Sequence, residues 1–128
     1  VIVDTSALVA VILGEPDAEA QLARMTSAET LALSAATLTE ALIVVEARQG
    51  REAATDLVAL LAELEAEIAS LDEDQAELAA SAWRRFGKGR HPAALNLGDA
   101  FSYALAAARG EPLLFKGRDF SATDVRQA

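Results

Sequence analysis

Cysteine is absent from this 128-residue chain and histidine occurs once. Disulfides, iron–sulfur clusters, thiolate zinc sites and cysteine nucleophiles are thereby removed together. The lone His91 argues against a histidine-rich metal site, and it lies in an Arg90-His91-Pro92 loop with no nucleophile-elbow motif nearby, which sets aside a Ser-His-Asp hydrolase. No apolar run is both long enough and free enough of charge to span a bilayer. Nor does a basic segment lead into an apolar one, as in a secretory leader. A cytoplasmic protein with no membrane partner is the expectation. Acids are missing from one stretch as well: none stands between Glu77 and Asp99, whereas Arg84, Arg85, Lys88, Arg90 and His91 all fall there.

What remains is enough for a real core. The chain is 52% hydrophobic, which excludes a disordered polymer, and its length suits a single domain over residues 1–128. The net charge of −9 is unevenly spread. Residues 1–83 carry 3 basic and 16 acidic side chains, whereas residues 84–128 carry 8 basic and 4 acidic. A local basic surface binds phosphates whatever the global sum, although a stretch such as 84–91 also reads as an ordinary solvated face.

Val1-Ile2-Val3 reads as a strand buried on both faces, and Asp4-Thr5-Ser6 ends it and caps a helix that Gly14 closes. A second helix opens at Glu15-Pro16-Asp17 and runs to about Met25. Thr30 to Leu33 is a short strand. Ser34 caps a third helix over 35–48, and a fourth follows over 51–66. Leu57, Leu60, Leu61 and Leu64 share one face of that fourth helix, as core or subunit contact. Ile68 to Leu71 is a third strand, and Asp72 and Asp74 start a fifth helix through Phe86. The loop 87–92 leads towards Gly98-Asp99 and a sixth helix over 100–108. Pro112 to Phe115 is a fourth strand, with a short fifth around Asp124-Val125. Strands alternating with helices imply an α/β fold, a three-layer α/β/α domain around a central parallel sheet.

In such sheets ligands bind at the carboxyl ends of the strands. Asp4 and Asp119 follow strands, while Glu40 and Asp99 lie early in helices, so all four belong to that edge. Each has an ordinary alternative. Asp4 suits an N-cap, Asp99 a helix dipole and Asp119 a loop, and Thr37 to Glu40 has the spacing of a capping box. Glu40 nevertheless has Ala36, Thr37, Ile43, Val44 and Ala47 as same-face neighbours, so it faces the protein. Carboxylates gathered at one place repel, by on the order of 4 kcal/mol for a pair at about 4 Å and an effective dielectric of about 20. A divalent cation removes that cost. Oxygen-only ligands select hard ions such as Mg²⁺ or Mn²⁺.

These pieces resemble one family. Val1-Ile2-Val3-Asp4-Thr5-Ser6, the helix acid Glu40, Leu97-Gly98-Asp99-Ala100 and Leu113-Leu114-Phe115-Lys116-Gly117-Arg118-Asp119-Phe120 stand in the order and spacing of the PIN-domain ribonucleases, most closely the VapC-type toxins of bacterial toxin–antitoxin pairs. The resemblance covers nearly the whole chain. It implies an acidic site of Asp4, Glu40 and Asp99, with Asp119 as a more variable fourth member and Thr5 or Ser6 supporting the first acid. It also implies metal-dependent hydrolysis of an RNA phosphodiester leaving a 5′-phosphate, a small cognate antitoxin and a homodimer. Asp4 and Asp99 are the expected direct ligands, with Glu40 as ligand or orienter of the attacking water. Lys116, Arg118, Arg84, Arg85, Lys88 and Arg90 are expected to hold substrate phosphates. Two rivals come from other classes. A receiver-like phosphate-accepting domain shares the sheet, the strand-end Asp and a Lys after a late strand, but wants an acidic pair where Thr5-Ser6 stands. A catalytically silent binding module leaves the four acids unexplained.

Overall fold

The computed structural model describes all 128 residues and places Ile2–Val3, strand β1, at an interior position of a parallel sheet. β2 (Ala32–Ser34) lies on one side of it and β4 (Leu113–Leu114) on the other, with Ile2 beside both Ala32 and Leu113. β3 (Glu67–Ala69) extends the sheet beyond β2, giving the order β3-β2-β1-β4. The expected fifth strand at Asp124-Val125 falls slightly later. It is a single bridge between Gln127 and Leu113, held by Leu113 N–H on the Arg126 carbonyl and Ala128 N–H on the Leu113 carbonyl.

Alternation along these short strands builds two cores, because successive side chains leave a strand on opposite faces. Ile2, Ala32 and Leu113 point into a cluster with Phe86, Leu95, Tyr103, Phe115 and Phe120. Their neighbours Val3, Leu33 and Leu114 point the other way, into a cluster with Leu8, Met25, Val45, Leu57 and Leu61. Helices α1 (Thr5–Leu13), α3 (Ala35–Gln49) and α4 (Arg51–Glu63) cover the second face, with α2 (Ala18–Ser27) against α1. Helices α5 (Glu73–Phe86) and α6 (Leu97–Arg109) cover the first. The architecture is α/β/α with a parallel sheet, as the alternation of elements implies.

Several boundaries move for local reasons. α6 starts at Leu97 rather than after Asp99, because the Asn96 side chain accepts the Asp99 N–H at 2.9 Å and Asp99 Oδ2 accepts the Asn96 N–H at 3.0 Å. This reciprocal pair is a capping box. α4 ends at Glu63, short of 66, because Glu65 turns into positive φ (52°). Most of the leucine stripe belongs to the core: Leu57 is fully buried, Leu61 nearly so, and Leu64 packs on the same cluster, while Leu60 is half-buried outside it. Leu57 and Leu61 are therefore not free to be a subunit contact. No helix is long and apolar enough to cross a membrane.

Candidate active site

Asp4 leaves β1 and N-caps α1, so the capping reading and the site reading describe one residue. Its Oδ2 accepts the Ser6 N–H at 3.0 Å and the Ser6 hydroxyl at 2.6 Å. Ser6 Oγ in turn accepts the Lys116 N–H at 2.9 Å, which ties the loop after β4 to the end of β1. On the other carboxylate oxygen, Oδ1 accepts the Ser102 hydroxyl at 2.6 Å. Asp4 is only 4% exposed, so these donors replace the water it gives up.

Glu40 arrives from α3. Ser34 caps that helix through the Ala36 N–H, at 3.1 Å. Glu40 is thus the sixth helical residue, too far along for the capping box that its spacing from Thr37 suggested. Thr37 does no capping. It is buried, and its Oγ1 lies 3.2 Å from Ser102 Oγ. Glu40 Oε1 instead accepts the Thr5 hydroxyl at 2.5 Å. Its carboxylate lies against Gly98, where an added Cβ would fall 2.6 Å from Oε1 and closer still to Oε2. The absence of a side chain at Gly98 is what lets α6 and this carboxylate meet. Glu40 faces the protein, as its apolar neighbours implied, but those neighbours are not all core. Ile43 is 63% exposed, and with Val44, Leu71, Leu97 and Phe101 it lines a groove of about 600 Å³ that ends at Glu40.

Asp99 stands in the first turn of α6 and is nearly buried. Burial pushes its carboxyl up to about 7; the Asn96 N–H works against that rise, and the charges of Asp4, Asp119 and Glu40 add to it. The four acids therefore share one electrostatic neighbourhood at the carboxyl edge of the sheet. Asp119 is its exposed member, on the loop after β4. As the side chains stand, no three of them form a group that could hold a metal ion. Thr5 engages an oxygen of Glu40 and the Asn96 N–H an oxygen of Asp99. The donor set is still oxygen throughout, and Mg²⁺ typically keeps several waters and takes only one or two carboxylates. The residues fit such an ion.

The basic residues divide. The Lys116 ammonium lies 3.1 Å from both Glu15 and Asp17, and these carboxylates hold its pKa above the usual range. Arg85 pairs with Asp124 at 3.3 Å, reaches the Tyr103 hydroxyl and lies over the Phe86 ring. Both charges are thus already countered within the chain. Arg84, Lys88, Arg90 and Arg118 are exposed and enter no ion pair, and the Arg90 guanidinium stacks 4.8 Å from the Trp83 ring centroid. Ser102 and Thr37 were missed by the sequence reading as site residues. The one available signal was that Ser102 lies three residues after Asp99, on the same helix face.

The PIN domain family matches residues 1–126. A protein named Ribonuclease VapC from Mycolicibacterium smegmatis is 46% identical over 124 residues, covering 97% of this chain and 96% of that protein. Among solved structures, the Mycobacterium tuberculosis toxin VapC20, described as cleaving the sarcin-ricin loop, superposes with a TM-score of 0.82 at 21% identity. That match covers 99% of this chain and 97% of that one. A chain of a toxin–antitoxin complex from Klebsiella pneumoniae superposes with a TM-score of 0.70 at 18% identity, covering 96% and 92%. With an acidic edge assembled in this order and a match that runs from end to end, the chain belongs to the PIN domain family, in the group of the VapC ribonucleases.

Proposed function

We propose that residues 1–128 act as one domain, an endoribonuclease toxin of a toxin–antitoxin pair, and that Asp4, Glu40, Asp99 and Asp119 form its hydrolytic centre. The observation that carries this assignment is the carboxyl of Asp99, buried beside the charges of Asp4, Asp119 and Glu40. A silent binding module has no use for that arrangement, because it costs stability unless a cation neutralises it.

Asp4 and Asp99 are the proposed ligands of a divalent cation, Mg²⁺ or Mn²⁺. When bound, such an ion lowers the pKa of a water and offsets the charge that develops on the phosphoryl oxygens. Glu40, held by Thr5, is the proposed acceptor for the proton of the attacking water. Ser6 orients Asp4 and links it to the backbone of Lys116. Asp119 stands at the exposed rim, as a further ligand or a gate to the substrate phosphate. Arg84, Lys88, Arg90 and Arg118 are the proposed contacts to the RNA backbone. Arg85 and Lys116 contribute mainly to the fold.

A small antitoxin is the proposed partner that covers the apolar groove beside Glu40, where Leu97 is 73% exposed. A homodimer is proposed through other exposed apolar side chains, Val58, Leu78 and Trp83 among them, with action in the cytoplasm, where RNA is available.

Cleavage of RNA with Mg²⁺, with Mn²⁺ and after thorough chelation tests the reading, with Asp4→Asn beside the parent. Cation-dependent cleavage by the parent and its loss in the variant are expected. Activity that survives chelation would remove the metal from the account. Phosphate uptake from a small phosphodonor, without RNA cleavage, would favour the receiver-like alternative.

A further inference from the structure

Ser102 and Thr37 are buried hydroxyls near the site that cap no helix. Ser102 is fully buried and Thr37 is 1% exposed. Both lie where α3 and α6 meet, and one turn earlier α6 presents Gly98 to Glu40 of α3. An alanine at 102 would suit that seam, and a buried hydroxyl costs free energy unless it is bonded. The hydroxyl at 102 has one hydrogen, and it is donated to Asp4 Oδ1 at 2.6 Å. The 3.2 Å contact with Thr37 must then be donated by Thr37. The two form a one-way chain, Thr37 to Ser102 to Asp4.

That chain decides which oxygen of Asp4 is left for a ligand. Oδ2 accepts two bonds from Ser6, one from its N–H and one from its hydroxyl, which fills both lone-pair directions. Oδ1 accepts only from Ser102 and keeps one direction open. We infer that Ser102, oriented by Thr37, is a positioning residue that turns the free lone pair of Asp4 Oδ1 towards the cation site and couples helices α3 and α6 to it. The inference rests on the reading of Asp4 as a metal ligand.

The test measures Mn²⁺ affinity by titration, followed as the rise in melting temperature and by the free-ion signal in magnetic resonance, on the full chain. Ser102→Ala should bind Mn²⁺ about tenfold or more weakly, since partners behind a metal ligand usually contribute 10- to 100-fold. Thr37→Val keeps the shape and removes the donor behind Ser102, so it should show a smaller loss in the same direction. Thr37→Ser, which restores the hydroxyl, should bind like the parent. If Ser102→Ala does not fold, Thr37→Val and its Ser counterpart decide. Parent-like Mn²⁺ affinity in Ser102→Ala and Thr37→Val would overturn the inference and leave the hydroxyls as interhelical glue. Asp4→Asn separates that failure from failure of the underlying reading. If it binds Mn²⁺ as the parent does, or if the parent binds none, the metal assignment falls and the positioning role falls with it.

Discussion

A carboxylate held by one hydroxyl and resting on one glycine is easily displaced without unfolding anything. Glu40 is in that position, with Thr5 on Oε1 and Gly98 against both oxygens. Gly98→Ala introduces a methyl group where the carboxylate now lies. The clash is with the flexible end of a side chain, so Glu40 can swing aside. Alanine is also the better helix former, by about 1 kcal/mol. The melting temperature should therefore stay within a few degrees of the parent's, while cleavage falls by roughly tenfold or more if Glu40 acts as the proposed general base. Paired melting curves and cleavage rates check this. Loss of stability with unchanged activity would mean that Gly98 serves packing alone.

Asp99 makes a prediction of opposite sign to that of most salt-bridged acids. Its carboxyl is raised from 3.8 to about 7 in the fold, chiefly by burial. Between those values the folded chain binds more protons than the unfolded one, so stability falls as pH rises. The favourable term is fully present below about pH 4 and is lost as pH passes through about 7. Metal-free protein should melt at progressively lower temperature from about pH 4 to 7 on account of this group, and Asp99→Asn should flatten the trend. Asn preserves an acceptor for the Asn96 N–H, so the helix cap survives. A melting series against pH in chelator, for both proteins, is the measurement; parallel curves would contradict the assignment.

Among the elements, α4 and α6 show how a local pattern leaves open what only packing decides. The Leu57, Leu60, Leu61, Leu64 stripe is a true helical stripe, read as core or subunit contact, and Leu57, Leu61 and Leu64 pack in the chain's own second core. Leu57→Ala should therefore cost about 2–5 kcal/mol, the range for emptying a buried leucine. The loss should not depend on protein concentration, as it would if the stripe joined two subunits. Denaturant curves at two concentrations well apart distinguish these. A capping box does exist in the chain. It joins Asn96 to Asp99 on α6, whereas the spacing from Thr37 to Glu40 imitates one inside α3. The motif is common and short, and only the position of the helix start, set by Ser34, separates the two.

At the scale of the whole molecule, the uneven charge acts against a net charge of −9. Arg84, Lys88, Arg90 and Arg118 stand exposed and free of internal ion pairs, so their replacement by Gln should weaken RNA binding. Each phosphate contact to a single strand contributes about 0.7 to the slope of log affinity against log salt, so the four together should lower it by up to about 3. Arg85→Gln should differ in kind. It parts from Asp124 and Tyr103 and should loosen the C-terminal tail more than the salt slope. Binding titrations at several salt concentrations check both. An unchanged slope in the fourfold variant would return these residues to being a solvated face.

How much of this was legible in the sequence depends on how far apart the partners lie. The β-branched run before Asp4, the caps at Asp4, Ser34 and Asp72, and the left-handed closure at Gly14 and Gly110 all rest on neighbours within a few residues. Such signals are written locally. Alternation of strand and helix then makes the sheet parallel, which sends Asp4, Glu40, Asp99 and Asp119 to one edge. The sequence alone determined that much: the fold class, the edge and the acids on it. Only the tertiary structure decided that Thr5 meets Glu40 across 35 residues, that Ser102 meets Asp4 across 98, and that Lys116 rests on Glu15 and Asp17. It also decided that Arg85 rests on Asp124. Those pairings follow from how helices seat against one another on the sheet. A shift of a few ångströms in a helix exchanges one hydroxyl or carboxylate for another without altering any local pattern.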